Sequence, residues 1–143
     1  MWYLYYKAYK EVCLSLQYPK VNENYVPAYQ ISAMPFVTSS NVALGTTKEI
    51  SFPTVTRFVS VKNNTATTQI AVGFTANGML AAKSNCYFLS GSESFNVDVK
   101  TSKLFISGSS GVSANFSVLA GLTGIELSQF ITVTGSNGFG GVG

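Results

Sequence analysis

Few groups in this chain can move a proton, attack a carbon or hold a metal. It has no histidine, six carboxylates (Glu11, Glu23, Glu49, Glu93, Asp98, Glu126) and two cysteines, Cys13 and Cys86. Catalysis near neutral pH needs groups that titrate or attack there. Without histidine, the Ser-His-Asp and Cys-His arrangements are excluded in their usual forms. A zinc site would have to combine the cysteines with carboxylates, and no two of these lie at ligand spacing. Two carboxylates flanking a glycosidic bond can hydrolyse it, but nothing in the spacing selects any two of the six. The stretch from Gly135 to Gly140 is followed by neither a lysine nor a helix, so it is no phosphate loop. We therefore expect no catalytic, cofactor-binding or metal-ligating residues, and no enzyme.

The remaining polar candidates have bland readings beside the sharper ones. Asp98 lies between Val97 and Val99 and is expected on a solvated outer face with Asn96 and Lys100, since aspartate is seldom fully buried. Arg57 alternates with Phe58. It is expected to face out with Val59 and Val61, or to lie on the other side of a sandwich strand. Its guanidinium fork suits a carboxylate of a neighbouring subunit; an intrachain pair or a wet surface is the alternative. Asn63-Asn64-Thr65 and Asn115-Phe116-Ser117 match the N-glycosylation acceptor pattern. Asn63 is expected at a turn and Asn115 inside a strand. Two cysteines make no disulfide framework; both are read as half-buried free thiols, with a disulfide between them as the alternative.

Behind these residues stands a train of short alternating segments. Thr56–Lys62, Phe95–Lys100 and Lys103–Ser107 place an apolar side chain at every second position, the pattern of a half-buried strand. Candidate strands are Tyr25–Ala33, Thr47–Phe52, Thr56–Asn63, Thr68–Thr75, Asn85–Ser90, Ser94–Lys100, Lys103–Ser107, Ala114–Leu122 and Gln129–Thr134. Turn signals separate them: Phe52-Pro53, Asn63-Asn64, Asn77-Gly78, Ser90-Gly91-Ser92, the run from Gly108 to Gly111 and the run from Gly121 to Gly124. Such regular spacing predicts a two-sheet sandwich or barrel. After Leu16 the only helical candidate is a turn between Gly78 and Lys83.

The 143 residues suffice for about one domain. Charged residues make up 10% of the chain, far below the ~25% of an ordinary soluble domain. Mean hydropathy is +0.24. A surface of Ser, Thr and Asn is weakly protected against association, because neither repulsion nor charged edges keep neighbours apart. The composition fits either assembly or a secreted β-domain with an uncharged surface. Net charge is +3 and the basic residues are scattered, which gives no nucleic-acid footprint. No run reaches the ~18 apolar residues of a transmembrane helix. The segment from Met1 to Tyr9 lacks the basic opening, apolar middle and cleavage site of a secretory signal.

Three regions follow. Residues 1–24 form an aromatic arm with five of the eight tyrosines (Tyr3, Tyr5, Tyr6, Tyr9, Tyr18) and the only tryptophan, Trp2. Its spacing of Trp2, Tyr5, Tyr6, Tyr9, Val12, Cys13 and Leu16 suits an amphipathic helix, with an extended arm as the alternative. It is read either as a partner- or membrane-facing arm or as a leader that is disordered or packs on its own domain. Residues 25–134 form one β-domain. Residues 135–143 form a flexible tail whose five glycines bury too little to offset their ordering entropy.

As an ensemble, Phe52–Asn63, Ile70–Thr75 with Gly78, Asn85–Leu89, Phe95–Lys100, Leu104–Gly108 and Ala120–Ile125 resemble the small penton protein of large icosahedral double-stranded DNA viruses with an internal membrane. The likeness runs from about Ile31 to Ser136 and leaves out the aromatic start. It implies an all-β fold, a single jelly roll: an eight-stranded, two-sheet antiparallel β-sandwich, to which the residues themselves add a short N-terminal arm or helix. It implies a structural capsid protein whose homopentamer closes the fivefold vertices of the shell. The partners would be copies of itself, the major capsid protein and minor capsid proteins, with no direct contact to nucleic acid; membrane contact stays open. Its place would be the virion, assembled in the host cell. The alternative is a carbohydrate- or receptor-binding jelly-roll module, since that architecture also serves lectins. Removing Gly135–Gly143 or Met1–Asn24 is expected to leave a folded subunit, by circular dichroism, that assembles less well. An unfolded product after the tail deletion would make the last segment a core strand.

Overall fold

The computed structural model describes residues 24, 26, 33–80 and 85–130. The tail lies outside them, as do the arm but for Asn24, the first candidate strand but for Val26 and Ala33, and the last but for Gln129 and Phe130. Eight strands follow in order: β1 (Met34–Val42), β2 (Thr47–Ser51), β3 (Thr56–Asn63), β4 (Gln69–Gly73), β5 (Tyr87–Leu89), β6 (Ser94–Val97), β7 (Lys103–Ser110) and β8 (Ala114–Leu122). They make two four-stranded sheets with orders β1-β8-β3-β6 and β2-β7-β4-β5. All neighbours are antiparallel. Every connection except β4–β5 passes from one sheet to the other. The fold is a single jelly roll, as expected.

The central strands carry the alternation that drives this. Val59 and Val61 of β3 and Phe116, Val118 and Ala120 of β8 face Ile70 and Val72 of β4 and Leu104 and Ile106 of β7 across one core. Burying each large side chain contributes roughly 1.5–3 kcal/mol. Phe36 meets Phe52 edge to face with ring centres 5.2 Å apart, so aromatic packing reaches the β1 edge.

Sequence periodicity missed β1. Its burial alternates from Phe36 to Val42, but Thr38 and Ser40 occupy inward positions and hide the pattern. Pro35 also suggests a break, yet a proline fits near the start of an edge strand. Strand β7 runs three residues further than expected, through Gly108. There a Cβ would strike the backbone of Ala43, so the bare backbone lets the β1–β2 corner lie against β7. Strand β8 likewise runs through Gly121, where Phe58 occupies the space of a side chain. The helical candidate is a 3-10 turn at Asn77–Met79. A second 3-10 turn, Leu127–Gln129, takes the place of the expected start of a final strand.

Of the two faces expected for Arg57, the one shared with Val59 and Val61 is excluded. The β3–β8 register shifts between Thr56 and Phe58, which leaves Arg57 as the extra residue of a bulge. Beyond it, Val59 and Val61 point inward and are fully buried, while Phe58 turns outward over Gly121. Arg57 therefore does not share a face with the two valines.

Buried polar side chains bracket β3. At its start, Thr56 is fully buried; its hydroxyl donates to Val99 O at 2.8 Å and accepts from Thr101 N at 3.1 Å. At its end, where the strand gives way to the expected turn, Asn63 is also fully buried. Its amide nitrogen donates to Thr68 O at 2.8 Å and to Ser90 O at 3.1 Å, and lies 3.4 Å from Leu89 O. Its carbonyl oxygen accepts from Thr65 N at 3.0 Å. After β8, Thr123 donates to Val55 O at 2.7 Å. Chain that crosses between sheets brings carbonyls inside, and each needs a donor. Asn63→Ala is expected to cost about 2–4 kcal/mol in urea denaturation, because several buried backbone groups lose their partner at once. Asn96→Ala, on the exposed face, should cost under about 0.5 kcal/mol.

Candidate assembly surfaces

The structure disperses the carboxylates it describes. Glu49 on β2 pairs with Lys103 on β7 at 2.6 Å. Glu93 accepts from Ser90 N at 2.8 Å within the β5–β6 turn. Asp98 follows β6 and is exposed, in line with Asn96 and Lys100. Glu126 precedes the last 3-10 turn, and Glu11 and Glu23 lie outside the described residues. Among the described residues no three of His, Cys, Asp or Glu gather around a common point. No described helix is long and apolar enough to cross a membrane. Cys86 is free and half-buried, and burial pushes its thiol up; Cys13 lies outside the described residues.

The two acceptor motifs part company. The Asn63 amide nitrogen is committed inside the fold, so a glycan cannot be attached there without unmaking the corner. Asn115 is the second residue of β8, exposed and opposite Asn41. Together with Ser39, Ser40 and Asn64 it lines an open depression of ≈ 430 Å³. Two of its lining side chains are tied to Ser117: the Ser39 and Ser117 hydroxyls lie 3.0 Å apart, and Asn64 donates to Ser117 Oγ at 2.7 Å.

The more distinctive surfaces are the two lateral sides, where the sheets part. On the β1–β2 side, Met34, Phe36 and Ser40 sit opposite Leu122, Ala120 and Phe116. Lys48 and Ile50 sit opposite Ile106 and Leu104. All five therefore occupy inward positions. Met34 is nonetheless 58% exposed and Phe36 half-buried. Lys48 is exposed, and its ammonium donates to the Ser40 hydroxyl across the gap between the sheets.

On the β5–β6 side the edge strands have only three and four residues, too few to close the sandwich. Tyr87 is opposite Val72, and Phe95 and Val97 are opposite Val61 and Val59. Phe95, Val97 and Val99 pack on the core while remaining half-buried. Tyr87 is 61% exposed, and its ring lies 5.4 Å from that of Phe95. Periodicity had marked Phe95 and Val97 as inward. It held no sign that two short edge strands would leave them beside Tyr87 at an open side. A further apolar pair, Val37 and Leu119, is exposed on the outer face of the first sheet, where the two residues are register partners.

No protein-family model matches the chain, and no curated protein matches it. Solved structures show partial likeness. A solution NMR structure of a de novo designed double-stranded beta-helix aligns with TM-score 0.41 and 16% identity, over 59% of this chain and 97% of that one. A protein of Bacillus endospore appendages, described as a novel family of disulfide-linked pili, aligns with TM-score 0.37 and 13% identity, over 64% and 89%. Neither likeness bears on function.

The β2 edge carries one electrostatic signature. Hydrogen bonds from Lys103 and then from Ser51, whose hydroxyl donates at 2.9 Å, hold the Glu49 carboxyl below the ordinary glutamate range. A depressed carboxyl stabilises the fold above its unfolded pKa, and that contribution fades as pH falls through the folded value. An NMR titration of Glu49 is expected to show a lowered midpoint that returns toward the ordinary range in Lys103→Met.

Proposed function

We propose that this protein is a structural subunit of an icosahedral viral shell, a penton of which five copies close each fivefold vertex. One observation carries the reading. A single jelly roll presents two unlike, half-covered lateral sides, β1–β2 with Met34, Phe36 and Lys48, and β5–β6 with Tyr87, Phe95 and Val97. A closed ring needs head-to-tail contacts, in which one patch on each copy meets a different patch on the next. Two unlike sides at opposite edges supply that pair. The low charge of the chain is consistent with this, because every charge taken into a lateral contact would need a partner.

In this reading the function is mechanical. Five wedges fill the point where sixfold packing of the major capsid protein cannot continue, and the outer surfaces meet that protein and minor capsid proteins. The virion is its place, and no described surface is assigned to nucleic acid. A second reading, a carbohydrate-binding module, has the Ser39–Asn41–Asn115 depression in its favour, since uncharged amides and hydroxyls suit sugar hydroxyls.

Sedimentation equilibrium of the full chain is expected to give five times the subunit mass of 15.3 kDa. Mass spectrometry of purified virions should find it at low copy number. A persistent monomer that is absent from virions and retained on a glycan array would overturn the penton reading in favour of the second.

A further inference from the structure

We propose that the ring contact sets the β1–β2 side of one copy against the β5–β6 side of the next, with Lys48 meeting Asp98 across it; this rests on the pentamer reading. Lys48 is an inward-pointing charge on an edge strand. Such a charge deters the edge from pairing with another strand, because it would be buried without a partner. Its hydrogen-bond partner, Ser40 Oγ, is neutral. The nearby carboxylate of Glu49 is already held by Lys103. The β1–β2 side therefore offers one cation with no carboxylate partner among the described residues.

The opposite side offers the anion. Asp98 is the first residue after β6, exposed and flanked by the half-buried Val97 and Val99. It has no charged partner among the described residues. The cations around it are otherwise disposed. Arg57, in the bulge of β3, is half-buried, and both it and Lys100 have partners of their own. Lys62 is opposite Ser94 at the far end of β6, about 13 Å along the strand from Asp98 at ~3.3 Å per residue. Apolar groups accompany each charge: Met34 and Phe36 beside Lys48, and Tyr87, Phe95 and Val97 beside Asp98.

The division of labour follows from these chemistries. Apolar closure of the two half-covered sides supplies the affinity. The charge pair supplies the choice of neighbour, since a wrong pairing buries a charge alone or against its like. Two β1–β2 sides would confront Lys48 with Lys48, and two β5–β6 sides would confront Asp98 with Asp98. Only the head-to-tail arrangement pairs them.

The test is a charge swap in the full chain, read by sedimentation. K48E and D98K change exposed side chains, and circular dichroism should show each folded. Each single variant is expected to weaken association at least about tenfold, and the double variant K48E/D98K to recover to within about threefold of the original chain. Singles that assemble like the original, or a double variant as weak as the singles combined, would overturn the pairing while leaving a pentameric original chain and its vertex role intact. An original chain that never forms five copies would overturn both.

Discussion

Strand β3 cannot leave the core without bringing polar backbone with it, and two side chains resolve the conflict. Thr56 and Asn63 stand at its two ends, both fully buried, and both bond backbone of the connections that join the two sheets. The jelly roll crosses between sheets at every connection but one, so this problem recurs at each end of the sandwich. The valines between them supply apolar area, but the register that puts Val59 and Val61 inward holds only while the ends are anchored. A slip of one residue would turn both to solvent. Desolvated carbonyls without donors would cost more than a pair of buried valines returns.

The same architecture explains where the molecule is unfinished. Long central strands close the middle of the sandwich, whereas β5 and β6 are too short to close their side and β1 spends inward positions on Thr38 and Ser40. Apolar groups are left half-covered at two opposite edges. A larger protein could cover them with helices or loops. Here few charges are available to discourage contact, and the one placed at the β1–β2 gap, Lys48, meets only the neutral Ser40 hydroxyl.

Legibility varied from strand to strand for physical reasons. β3 and β8 were readable to the residue, because they are central and alternate between core and outer face over most of their length. β1 was not, because an edge strand tolerates polar residues inward and a proline near its start. The face of Arg57 stayed open between two sides because a bulge shifts the alternation by one, and a bulge leaves no mark in composition. Asn63 was taken for a turn former because asparagine usually is one; burial at the end of a strand depends on chain arriving from Thr68, Leu89 and Ser90. The lateral surfaces were illegible for a related reason: each is made of residues from two sheets.

Local alternation was enough to establish an all-β domain with short strands. That pattern belongs to neighbours along the chain, and a sequence displays it directly. The strand order, the anchoring of Thr56 by Thr101 and the meetings of Lys48 with Ser40 and of Tyr87 with Phe95 were decided only in three dimensions. They join positions that are far apart in the chain or on different sheets, and no local pattern encodes which distant backbone will arrive beside a given side chain.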